Sequence, residues 1–117
     1  MEIILEPVDG AEEGPFVLES PENPLIEPEF LIGRGPDCHV RLPSGFVSRH
    51  HCGVVVDDDA RAVKVRDLGS QNGTFVNDER VRGTHALRDG DRLVVGFIPF
   101  EVHIPAAPRD SVSFNTR

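Results

Sequence analysis

The stretch Val63-Lys64-Val65-Arg66-Asp67-Leu68-Gly69-Ser70-Gln71-Asn72-Gly73-Thr74-Phe75-Val76-Asn77-Asp78 decides how this chain folds. Val63 and Val65 alternate with Lys64 and Arg66. That period of two marks a half-buried strand, because successive strand side chains point to opposite faces. Residues 67–73 are a loop dense in turn formers, with Asn72-Gly73 a tight-turn pair. An apolar run resumes at residues 74–76, and Asn77-Asp78 turns it towards residues 80–82 as a hairpin. Nothing in the segment repeats at the spacing of a helix.

Outward from this stretch the same grammar continues. Residues 2–5 and 16–18 are short apolar runs joined by Asp9-Gly10 and Gly14-Pro15, a first hairpin. Residues 20–28 carry three prolines and read as an extended connection. Residues 30–33 form a strand that stops at Gly33-Arg34-Gly35-Pro36. The brief run 40–42 gives way to Pro43-Ser44-Gly45, and residues 51–56 end at a solvated hairpin tip, Asp57-Asp58-Asp59. Asp89-Gly90 leads into residues 92–95, and Gly96 separates that strand from residues 97–104. Short strands with such regular turn signals predict an all-β sandwich or barrel.

Composition bounds what this fold can do. The 117 residues suffice for one domain, and no apolar run is long enough to span a bilayer. Met1 is followed at once by Glu2, so no basic, apolar signal sequence begins the chain. Two cysteines, Cys38 and Cys52, are too few for a disulfide framework and fit a reducing, cytoplasmic compartment. The net charge of −8 is unevenly placed: residues 1–30 hold nine acids and no Lys or Arg, while the remaining 87 are near neutral. An acidic chain makes a poor general nucleic-acid binder. Eleven of the twelve basic residues are Arg, whose planar fork suits phosphate or carboxylate.

Three loops concentrate that chemistry: Gly33-Arg34-Gly35, Ser48-Arg49-His50-His51 and Ser70-Gln71-Asn72-Gly73-Thr74. Each alone is ordinary turn sequence. Gathered at one end of a sandwich, they offer two arginines, hydroxyls, an amide and glycine-freed backbone N–H groups, the donors a compact dianion needs.

In residues and spacing the chain resembles the forkhead-associated (FHA) domain family. The resemblance runs from Phe30 to Val102 through Ile32-Gly33-Arg34, Cys38-His39-Val40, Val47-Ser48-Arg49-His50-His51, the long run from Val65 to Asn77, Leu87-Arg88-Asp89-Gly90-Asp91 and Val95-Gly96. It implies a β-sandwich of about eleven short, mostly antiparallel strands over residues 1–104, with the binding loops at one end and a flexible tail over 105–117. It also implies recognition of phosphothreonine in a partner protein, a Ser/Thr kinase or its substrate.

By the same resemblance, Arg34 pairs with the phosphate, Ser48 donates its hydroxyl to another phosphate oxygen, and Arg49 adds backbone and side-chain donors. Asn72 holds the ligand main chain, with Gln71 beside it. Gly33, His51 and Gly73 are architectural, His51 tying the loops together, and Asn77 is a recurrent loop residue. The chain departs from the common pattern at Arg49, where many members have Asn, and at Gln71, where many have Thr or Ser. Phe46 stands where some members read the third residue after the phosphothreonine, and its apolar ring argues against a demand for Asp and for an aliphatic preference or none.

Other chemistries fit less well. Cys38, His39, His50, His51 and Cys52 suggest zinc, but the two cysteines lack metal-type spacing and strand neighbours face opposite ways. Ser48, His51 and an Asp could compose a triad, yet no G-x-S-x-G elbow is present. A calcium site at the Asp57-Asp58-Asp59 run is weaker still. The resemblance thus implies a non-enzymatic phosphopeptide-binding module, and no metal, cofactor, membrane or nucleic-acid partner is expected. The alternative is a phosphate-independent scaffold that retains the fold.

Overall fold

A computed structural model describes residues 1–8, 14–20, 28–57 and 61–105. Eleven strands are formed among them: β1 (Glu2–Pro7), β2 (Phe16–Glu19), β3 (Glu29–Gly33), β4 (Val40–Arg41), β5 (Cys52–Asp57), β6 (Ala62–Asp67), β7 (Thr74–Val76), β8 (Glu79–Arg80), β9 (Thr84–Leu87), β10 (Arg92–Val95) and β11 (Ile98–His103). A six-stranded sheet has the order β2-β1-β11-β10-β7-β8, and a five-stranded sheet the order β4-β3-β5-β6-β9. All registered pairs are antiparallel except β3 with β4. No helix among the described residues is long and apolar enough to cross a membrane.

The two sheets stack because each has one apolar face. Ile3 and Leu5 of β1, Val63 and Val65 of β6, Leu93 and Val95 of β10, and Phe100 and Val102 of β11 are all buried at alternating positions. Burying such a side chain is worth about 1.5–3 kcal/mol, which is what fixes the register. Strand β1 pairs with β11 almost a chain length away, Leu5 opposite Val102, so the first and last strands lie side by side inside the larger sheet.

Most of the sequence-based strands are present, with boundaries shifted by a residue or two. The hairpin turn Asn77-Asp78 forms with both residues at positive φ, 49° and 70°, as a type I′ turn demands. Its second arm is Glu79–Arg80 rather than residues 80–82. Strand β9 carried no sequence signal: of its four residues only Leu87 is buried, so the period of two never shows. It exists because the edge of β6 offers unpaired backbone groups, and Val63 to Arg66 pair with Leu87 to Thr84. The expected turn at Asp9-Gly10, most of the 20–28 connection, Asp58-Asp59 of the acidic tip and the tail beyond residue 105 lie outside the described residues.

The larger sheet's outer face carries a charge conflict and its remedy. Glu6 of β1 stands directly opposite Glu101 of β11, an arrangement of like charges that is destabilising. His103, two residues along β11, places Nε2 2.8 Å from Glu6 and 3.4 Å from Glu101. Its hydrogen bond to Glu6 raises the imidazole above its ordinary value of 6.5, against some desolvation, and Glu101 and Asp89 add to the rise. A raised folded value means the pair stabilises fully below 6.5 and loses its effect as pH climbs through the folded value. Comparing thermal melts of wild type and His103→Gln checks this: the wild-type advantage should be present at pH 6 and shrink by pH 8.5.

Candidate functional site

Four connections meet at one end of the sandwich: residues 34–39 after β3, 42–51 between β4 and β5, 68–73 between β6 and β7, and Gly96-Phe97 between β10 and β11. Backbone hydrogen bonds lace them together. Arg34 N–H donates to Ser48 O (2.9 Å), Gly35 N–H to Arg49 O (3.0 Å), Leu68 N–H to His51 O (3.0 Å) and Gly96 N–H to Gly73 O (3.5 Å). Gly33 is required at the first of these approaches, since a Cβ there would collide with the carbonyl oxygen of Arg49.

His51 is the centre of this arrangement. It is fully buried. Its Nδ1 accepts from Ser48 N–H at 3.0 Å, and its Nε2 lies 2.8 Å from Gly73 O. Accepting at Nδ1 requires the hydrogen to sit on Nε2, so the neutral Nε2–H tautomer satisfies both loops at once. Gly73 takes φ +89°, which only glycine adopts without strain, and that conformation presents its carbonyl to the imidazole.

Asp67 is a site residue that the sequence reading passed over. Its Oδ2 accepts from the N–H groups of Gly69 and Ser70, and its Oδ1 from the hydroxyls of Ser70 (2.6 Å) and Thr74 (2.8 Å). Ser70 Oγ in turn accepts from Gly73 N–H. Partial burial pulls the Asp67 carboxyl upward, but these hydrogen bonds outweigh it and hold the group below its ordinary value. The available signal was Asp followed by Gly at the second and Ser at the third position, the pattern of a side chain that folds a turn around itself. Asp67→Ala should lower stability by about 2–4 kcal/mol, because two hydroxyls and two backbone donors lose their acceptor. The contribution of Asp67 holds above the unfolded carboxylate range and fades as pH falls through the depressed folded value. Urea melts of both proteins at neutral and acid pH should therefore converge at acid pH.

The predicted ligand-facing residues Arg34, Ser48, Arg49, Gln71 and Asn72 all sit on these loops, and of the architectural residues Asn77 does not. Arg34 is exposed, and its Nε donates to Val47 O at 3.1 Å, which aims the guanidinium while leaving its Nη groups to solvent. Ser48 Oγ accepts from Gln71 N–H at 3.1 Å, so its own hydrogen remains to be donated outward. Asn72 Nδ2 donates to Phe46 O at 2.8 Å, tying the third loop to the second. The side chains of Arg49 and Gln71 are exposed beside them. Asn77 lies instead at the far end of β7. There its side chain bonds Asp91 Oδ1 and Arg92 N–H, and its N–H bonds Arg92 O. It shapes the β7–β8 hairpin and anchors the start of β10, away from the loop cluster.

The remaining titratable groups divide by burial. Cys52 is fully buried, and desolvation pushes its thiol up to about 12, which leaves it inert. Cys38 is half-buried; desolvation first and Asp37 second raise its thiol above the ordinary value. Asp37 is held below its ordinary value, chiefly by a 2.8 Å hydrogen bond from His50.

This architecture has counterparts among known proteins. The FHA domain family profile matches residues 30–96. The transcriptional regulatory protein EmbR of Mycobacterium tuberculosis is 40% identical over 83 residues, covering 71% of this chain. The chain spans only about a fifth of the length of that relative, 21%. A solved FHA domain, from work on phosphothreonine-dependent FHA domain interactions, superposes with a TM-score of 0.74 at 30% identity, covering 92% of this chain and all of that one. Mycobacterium tuberculosis EmbR in complex with a low-affinity phosphopeptide superposes with a TM-score of 0.75 at 29% identity, over 91% of this chain and 25% of that one. The matched residues run from β3 to Gly96 and so span the first three of the four connections and the start of the fourth; the chain belongs to the FHA domain family.

Proposed function

We propose that the chain is a phosphopeptide-recognition module that binds phosphothreonine in a partner protein, a Ser/Thr kinase or its substrate, without catalysing a reaction. The observation that carries this reading is the convergence of the Arg34 guanidinium, the Ser48 hydroxyl and the Asn72 amide on three loops joined through buried His51. Similarity to a domain solved in work on phosphothreonine-dependent interactions and to EmbR solved with a phosphopeptide supports it.

In this reading Arg34 and Ser48 donate to the phosphate oxygens and Arg49 adds positive charge at the rim. Asn72, through its carbonyl oxygen and remaining amide hydrogen, holds the ligand main chain. Gln71 faces the residues beside it. A phosphothreonine brings about −1.5 to −2 charge and three acceptor oxygens. Each charge-assisted bond nets about 1.5–3 kcal/mol, so three or four, less the cost of ordering a peptide, give roughly micromolar affinity. The two free thiols accord with a reducing, cytoplasmic setting.

Phe46 and Phe97 extend the surface beside Asn72. Their rings meet edge-to-face at 5.3 Å and are 59% and 63% exposed. A Cβ at Gly96 would lie 2.5 Å from Phe46 O, so the absent side chain lets the β10–β11 turn abut the Phe46 loop. The pair supports an aliphatic preference at the third residue after the phosphothreonine.

Anisotropy of labelled peptides tests the proposal; the chain has no Trp or Tyr, so the label sits on the peptide. Phosphothreonine peptides should bind, phosphoserine peptides more weakly by the roughly fourfold that one buried methyl supplies, and unphosphorylated peptides not at all. Affinity should fall with added salt and below about pH 6, where the phosphate gains a proton. Tight binding of an unphosphorylated partner, unchanged by Arg34→Ala, would assign the fold to phosphate-independent scaffolding.

A further inference from the structure

We propose that Asp37, Cys38 and His50 bind a thiophilic divalent cation of the Zn2+ class, which joins the loop after β3 to the loop before β5. A carboxylate oxygen, a thiol sulfur and an imidazole nitrogen of these residues all lie within 4.8 Å of one another. His50 Nε2 already stands 2.8 Å from Asp37 Oδ2, and Cys38 Sγ reaches across the same two loops to Arg49 O at 3.2 Å.

The donor set selects the ion. One sulfur, one nitrogen and one carboxylate oxygen form a three-ligand tetrahedral set with the fourth position left to water, whereas Ca2+ and Mg2+ take oxygen ligands. Metal–ligand lengths of about 2.0–2.3 Å place the ligand atoms of a tetrahedron roughly 3.3–3.8 Å apart. The side chains therefore need small adjustments, and two of the three are exposed and free to make them.

Cys38 and Cys52 lack metal-type spacing as a pair, and His51 and Cys52 are adjacent in the chain at the start of β5. The structure separates them by role. Cys52 and His51 are fully buried, and both ring nitrogens of His51 are occupied. His39 is engaged elsewhere, accepting from Leu31 N–H and packing on Phe30. The cluster uses one cysteine only, and its partners come from both loops.

Binding releases the Cys38 Sγ proton to solvent and gives up its bond to Arg49 O, which keeps its 3.0 Å bond from Gly35 N–H. The hydrogen that His50 Nε2 donates to Asp37 Oδ2 is given up as well, to Nδ1 or to solvent, so that both atoms can ligate. Arg41 and Arg49 act electrostatically on Cys38 and oppose a cation, while the Asp37 carboxylate and the Cys38 thiolate favour it. Both arginines are exposed, so solvent and salt screen their effect.

The test uses Co2+ as a coloured stand-in for Zn2+ on the full chain. A thiolate-to-cobalt charge-transfer band in the near ultraviolet should saturate at one equivalent and be displaced by Zn2+. Cys38→Ser should abolish the band, Cys52→Ala should retain it, and His50→Ala should weaken Zn2+ affinity at least tenfold. Zn2+ should also slow alkylation of Cys38 in the folded protein. The proposal is overturned by no band at stoichiometric Co2+, by a band that survives Cys38→Ser, or by Zn2+ affinity unaffected by His50→Ala. Association only at millimolar metal and indifferent to these substitutions is adventitious and overturns it equally.

Discussion

Arg34→Ala is expected to weaken phosphothreonine-peptide binding by on the order of 100-fold while the protein stays folded. In the proposed site the guanidinium offers its Nη donors to the phosphate, and losing them would remove about 3 kcal/mol of charge-assisted bonding, which corresponds to that factor. The same substitution removes one bond from Nε to Val47 O and almost no packing, because the side chain is exposed. One such bond is worth about 1 kcal/mol, or roughly 4 °C in melting temperature for a domain of this size. Arg34→Lys separates charge from geometry: an ammonium keeps the charge but not the fork, and should recover only part of the affinity. Titration and thermal melting of the three proteins decide the matter. A folded Arg34→Ala protein with wild-type affinity would sink the assignment of Arg34 to the phosphate.

His51→Ala is expected to fail in both respects at once. The imidazole is fully buried, so its removal leaves a cavity, an unsatisfied Ser48 N–H and a Gly73 carbonyl that keeps only its long 3.5 Å bond from Gly96 N–H. Together these cost about 3–5 kcal/mol, a large share of the 5–15 kcal/mol that usually separates folded from unfolded. The loops carrying Ser48 and Asn72 would lose their common anchor, and phosphopeptide affinity should drop even in the fraction that stays folded. His51→Gln supplies a variant that fills more of the space. Its amide can donate to Gly73 O but does not reproduce the Nδ1 acceptor, so it should recover part of the stability and little of the binding. Wild-type affinity in a folded His51→Gln protein would show that the bridge is not what positions the loops.

The two variants divide the site by depth. In the proposed site Arg34 acts at the surface on the ligand, and His51 acts from beneath on the loops. Asp67 belongs with His51: its four hydrogen bonds shape residues 67–74 from inside, so substituting it should tell on stability before affinity.

Much of this was written in local sequence. The alternation of Val63 and Val65 with Lys64 and Arg66 reported a strand, and Asn77-Asp78 reported a tight hairpin, because side-chain period and positive φ are local requirements. Arg34, Ser48, Asn72 and His51 were legible because their spacing resembles a known family, and the fold brings their loops to one end. Strand β9 was not legible, since an edge strand with one buried residue draws its existence from the neighbour it pairs with. Asp67 was visible only as a turn former; that its carboxylate reaches Thr74 as well as Ser70 depends on how the loop closes.

What only the tertiary structure decided is contact between distant segments. The pairing of β1 with β11, the seating of Gly33 against the Arg49 carbonyl and the meeting of Asp37 and Cys38 with His50 join parts of the chain that no local pattern relates. They follow from burying the apolar faces of two sheets against each other, a requirement of the whole core. The sequence by itself determined the strands and the chemistry of their loops; the stacking of the sheets determined which loops meet.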